Sequence, residues 1–140
     1  MSATFNKFGV KFLYPENWTI TDEQAAEWPR SVSIATPDSA FWVLNVYEQG
    51  DGAALTAEAL RAMREQYPDL EAEPILETVE GAEVVGFDMQ FYCLDFVVTA
   101  RVVSARRGEQ TFVVFSQGED RDYDRAAPVF QAMLVSLLRG

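Results

Sequence analysis

The sequence contains no histidine and a single cysteine, Cys93. The missing histidine removes the commonest general base and the commonest metal ligand together. One cysteine can build neither an internal disulfide nor a Cys-based zinc cluster. Basic residues are scarce too, 11 against 22 acidic ones, leaving a formal charge of −11. An acidic chain repels phosphate backbones and anionic lipid headgroups, so neither nucleic acid nor a membrane is an expected partner. The plain reading of that charge is solubility. No stretch approaches the ~20 apolar residues of a membrane span. The start MSATFNKFGVKFLYP has no apolar h-region and no cleavage site, which points to a cytoplasmic protein. Nucleotide-binding glycine motifs and G-x-S-x-G are absent, and Ser104, Ser116 and Ser136 have no histidine to activate them. No catalytic machinery is visible and no cofactor is called for.

What is present is an ordinary globular composition, 49% hydrophobic and 24% charged, over 140 residues. A chain of that size can bury a real core without staples, and residues 1–140 read as one domain. The clearest signal runs from Ala82 to Gln117, as AEVVGFDMQFY, LDFVVTARVVSAR and EQTFVVFSQ. In the first block Val85, Phe87, Met89, Phe91 and Cys93 alternate with Gly86, Asp88, Gln90 and Tyr92. Successive strand residues face opposite sides, so this block is a half-buried strand. Cys93 falls on its apolar face, as a small buried hydrophobe would.

Before this stretch, Phe8, Val10, Phe12 and Tyr14 alternate, and Pro15-Glu16-Asn17 predicts a turn into Trp18–Ile20. Thr21-Asp22-Glu23 reads as the start of a short helix closed by Pro29. Ser31–Thr36 and Phe41–Glu48 read as strands, the second central because both its faces carry large apolar groups. Leu55–Tyr67 predicts a helix capped by Thr56, with Ala59, Leu60, Met63 and Tyr67 on one face. Glu71–Val79 is a more polar strand, and Pro74 suits an edge. The last segment, Glu119–Leu138, is helical. Its stripe is Phe130, Met133, Leu134, Leu137 and Leu138, with Pro128 placed in the first turn. The order predicts an α+β domain: an N-terminal hairpin, an antiparallel sheet of about six strands, and helices packed on it.

Several short motifs carry a resemblance. Tyr14-Pro15 followed by Trp18, Val79-Glu80-Gly81 before a strand, the Arg107-Gly108 hairpin and Phe130–Leu137 in the final helix resemble the PsbP-like family. That fold is shared with a Ran-binding Mog-type nuclear transport factor and with DcrB-type bacterial proteins. The resemblance covers nearly the full length and implies the PsbP-like fold and a small non-enzymatic adaptor. Many bacterial members carry lipoprotein or periplasmic signals, and the present sequence shows none. No partner-binding motif of the family is recognisable, so no functional residue is carried over.

The remaining constellations read mostly as structure. Glu119–Asp124 alternates acids like a calcium loop, but Arg125 and Gln131 stand where that loop needs glycine and glutamate. Glu71, Glu73, Glu77, Glu80 and Glu83 read as a solvated face guarding an edge strand. Arg101, Arg106 and Arg107 form the main basic spot and could grip a partner's carboxylate. Trp42, Tyr47, Tyr92 and Phe96 lie near strand ends or on second faces, and with Arg101 they make the candidate partner surface. The reading is therefore a non-enzymatic protein-interaction module, an adaptor or chaperone-like protein whose partner is another protein or a second copy in a homodimer. The alternative is a small-molecule or lipid-binding domain with a pocket between the sheet and Leu55–Tyr67.

Overall fold

The computed structural model describes residues 1–7, 9–23 and 28–140. The elements are β1 (Ser2–Lys7), β2 (Val10–Pro15), β3 (Thr19–Glu23), β4 (Arg30–Ala35), β5 (Phe41–Tyr47), α1 (Gly52–Gln66), β6 (Glu71–Val79), β7 (Ala82–Cys93), β8 (Phe96–Arg107), β9 (Gln110–Glu119) and α2 (Asp120–Arg139). β1 and β2 form a separate hairpin, and the other seven strands form one sheet in the order β3-β4-β5-β9-β8-β7-β6. Every described pairing is antiparallel. The sheet thus has seven strands where the sequence suggested about six.

Alternation decides which helix each strand residue meets. On one face, Trp42, Leu44, Val46, Val103, Phe112 and Val114 pack under Phe130, Met133, Leu134 and Leu137 of α2. The β1–β2 hairpin extends that layer with Phe5, Val10 and Phe12. On the other face, Met89, Phe91, Ala100, Val102 and Val113 pack with Leu60 of α1. Both faces of the sheet therefore carry a helix, and neither is left open along its whole length. β6 is an edge strand, as its polarity and Pro74 suggested.

Four local expectations change. The turn after Pro15 exists, with Trp18 N–H donating to the Pro15 carbonyl at 3.0 Å. The strand that follows does not fold back on β2, however; it pairs with β4, and β2 pairs with β1. The free edge of β2 faces α2, where Leu13 N–H donates to Ser136 Oγ at 2.9 Å. Thr21–Glu23, expected to open a helix, is strand; residues 24–27 of that expected helix, like Phe8, lie outside the described residues. α1 begins at Gly52, capped by Asp51 Oδ1 accepting from Ala53 N–H at 3.1 Å, and Thr56 is buried inside the helix. Because α2 starts at Asp120, Pro128 falls in its interior, where the ring removes one backbone hydrogen bond.

Candidate functional site

The five candidate surface residues separate. Trp42 is 1% exposed, its ring 5.1 Å from that of Phe12, so it belongs to the core and is not part of an outer partner surface. Tyr47 is half-buried against the α1-side core. Arg101 is half-buried on the α2 side: Nη2 lies 2.5 Å from Glu77, Nε 3.3 Å from Asp88, and Nη1 3.5 Å from Gln131. Glu77 is thus an ion-pair partner and not merely part of a solvated face. Tyr92 and Phe96 remain outside, 73% and 58% exposed.

Those two rings flank a feature the sequence reading missed. Cys93 and Phe96 are the closing pair of the β7–β8 hairpin, and Leu94-Asp95 is its loop. Leu94 is 91% exposed and has a φ of 57°. Positive φ at the first of two loop residues is the pattern of a type II′ turn, where glycine is preferred. The next hairpin follows that preference, with Gly108 at φ 63°. A leucine at positive φ costs about 1–2 kcal/mol through crowding of its Cβ against the backbone. The visible signal was an apolar residue in a two-residue turn.

The base of this hairpin is held firmly. The Tyr67 ring stacks on Phe91 at 4.2 Å between centroids, and its hydroxyl lies 3.9 Å from Cys93 Sγ. That contact, with burial adding, pushes the Tyr67 hydroxyl pKa up. Alternation sends Tyr92 to the α2 side of the sheet and Phe96 to the α1 side, while Leu94 points off the end. Beside the tip is a hollow of about 600 Å³, lined by Cys93, Leu94, Phe96, Val98 and the start of α2.

Two further hollows, of about 500 and 1040 Å³, lie along α2, and none of the three is lined by a residue of α1. Where the sequence suggested a pocket, α1 packs Leu60 into the sheet beside Met89 and Val102. The Glu119–Asp124 acids occupy the start of α2. There Asp120 accepts from Thr99 Oγ1 at 2.8 Å, and Asp122 accepts from Ser39. Among the described residues no helix is long and apolar enough to cross a membrane.

No protein-family model and no curated protein matches the chain. Solved structures do match. The cyanobacterial PsbP (CyanoP) of Synechocystis sp. PCC 6803 aligns at a TM-score of 0.66 and 14% identity, over 97% of this chain and 89% of that one. The fold is PsbP-like. PA94 of Pseudomonas aeruginosa, a protein of unknown function, aligns at 0.56 and 17% identity, over 97% and 95% of the two chains. A Bacteroides thetaiotaomicron structure aligns at 0.60 and 12% identity, over 91% of this chain but 43% of its own. At these identities the likeness is one of fold.

Proposed function

We propose that this PsbP-like chain is a non-enzymatic interaction module, an adaptor or chaperone-like protein that docks another protein through the β7–β8 hairpin. One observation carries the reading: Tyr92, Leu94 and Phe96, three large side chains of one hairpin end, are 73%, 91% and 58% exposed, Tyr92 on one face of the sheet, Phe96 on the other and Leu94 between them at the turn. Large apolar side chains exposed at one hairpin end suit a partner that wraps around it, and covering them releases roughly 25 cal/mol per Å² of apolar area. The strained leucine adds to this. Glycine would close the same turn at lower cost, so the apolar side chain is held outward against a local preference.

A photo-crosslinking amino acid placed at Leu94 in the native host tests the proposal. Leu76, 74% exposed on the β6 edge, serves as the control position. The expected result is a discrete crosslinked protein from position 94 that is lost in Phe96→Glu and absent from position 76. Identical products from both positions, or none from either, would sink the reading. Sedimentation of the pure chain separates a homodimer from a different partner, since Leu94→Glu should dissociate only the former.

A further inference from the structure

We propose that the hollow between α2 and the sheet is a binding site for a small organic cation, an amine carried on an apolar or aromatic body. The site is separate from the hairpin and does not rest on the interaction reading. Its volume, about 500 Å³, falls in the range of ligand pockets. The walls are apolar, formed by Trp42, Val103, Val114, Phe130 and Leu134. Against them stand a few converging polar groups: Ser116 and Tyr123, Arg101 and Gln131, and the carboxylates of Asp88 and Asp124.

The buried hydroxyls are the first sign of a ligand. Ser116 and Tyr123 are 4% and 8% exposed, and their oxygens lie 2.9 Å apart. Two hydroxyls bring two protons, and the single bond between them uses one. Each hydroxyl has the other as its partner, and the second proton is left for an acceptor oxygen on a molecule within the hollow.

Charge sets the sign of the ligand. Arg101 is the cation of the lining, and it is already engaged by Glu77 at 2.5 Å and Asp88 at 3.3 Å. Asp124 also lines the hollow, and Glu73 is the cross-strand neighbour of Asp88. One guanidinium is thus shared by Glu77 and Asp88, with the carboxylate of Asp124 in the same lining and Glu73 next to Asp88. The Asp88 carboxyl responds accordingly: burial raises its pKa, Glu77 and Glu73 raise it further, and Arg101 opposes them. An entering anion would add to an excess of carboxylate over guanidinium charge, whereas an ammonium would offset it. The overall charge of −11 draws cations toward the molecule as well.

Tyramine is a suitable probe, because it joins an ammonium to an aromatic ring bearing an oxygen. Its uncharged analogue para-ethylphenol and its anionic analogue para-hydroxyphenylpropionate keep the ring and change the charge. Each is titrated into the full chain labelled with nitrogen-15, and the Trp42 indole and Tyr123 amide resonances are followed. Tyramine should shift both saturably, bind roughly tenfold more tightly than para-ethylphenol, and leave the anion without saturable binding. The double variant Asp88→Asn/Asp124→Asn should lose about that tenfold for tyramine and leave para-ethylphenol unchanged. Ala127→Leu, which extends a lining residue into the hollow, should weaken both phenols together. The proposal fails if the three probes bind alike, if shifts map away from Trp42, or if tyramine shifts nothing.

Discussion

Ser39 Oγ donates to Asp122 Oδ2 at 2.6 Å although the two residues are 83 positions apart. The same hydroxyl accepts from Glu119 N–H at 3.0 Å, at the point where α2 begins. Glu119 makes no side-chain cap of its own. The cap of the last helix therefore comes from the β4–β5 turn, joining one edge region of the sheet to α2. Ser39→Ala should cost about 1 kcal/mol of stability, read by urea denaturation at neutral pH. A loss under roughly a quarter of that would show that water replaces the hydroxyl fully.

The same contact predicts a pH dependence. The Ser39 hydroxyl, helped by Arg125 and the Ser39 amide against some burial, holds the Asp122 carboxyl below the usual range. A depressed folded-state pKa stabilises the fold above the unfolded pKa, and that stability is lost as pH falls through the folded value. Asp122→Asn should therefore lower stability at neutral pH and converge with wild type in strong acid. A constant offset at every pH would contradict the assignment.

Leu94→Gly separates stability from binding. Relief of the left-handed strain is worth about 1–2 kcal/mol, offset by the greater freedom of glycine in the unfolded chain, roughly 0.5–1 kcal/mol. Denaturation should show stability unchanged or raised by up to about 1.5 kcal/mol. Capture of the docking partner should fall in parallel with Phe96→Glu. A clear loss of stability would mean that the leucine side chain is needed by the fold itself.

Gly86 tests the closeness of the β7–β8 pairing. A Cβ there would lie 1.9 Å from the Val102 carbonyl oxygen, which is backbone and cannot rotate away. Gly86→Ala should destabilise by more than about 2 kcal/mol, seen as a lowered thermal midpoint. A neutral substitution would show that β7 and β8 shift apart easily.

The long strands were legible because their apolar positions repeat every second residue. Val85 to Cys93 was recognisable without any partner in view, since a strand's period comes from its own backbone geometry. The early turns were less legible. Pro15–Asn17 announces a reversal, but which strand β3 joins depends on the side of β2 that α2 occupies. Thr56 looked like a cap because caps are read locally, and Asp51 supplied one a turn earlier.

The candidate surface divided for the same reason. Trp42 and Phe41 alternate as cleanly as Tyr92 and Cys93, and alternation says only that two faces differ. Whether a ring is core or surface depends on what lies above it. α2 lies over Trp42, and nothing described covers Leu94.

The sequence alone determined the α+β class, the antiparallel strands, the amphipathic helices and the absence of histidine chemistry. All of these follow from local periodicity and composition. Tertiary structure decided the seven-strand order, the helix on each face, the engagement of Arg101 by Glu77 and Asp88, and the exposure of the β7–β8 tip. These depend on contacts between segments far apart in the chain, where no local pattern records the partner.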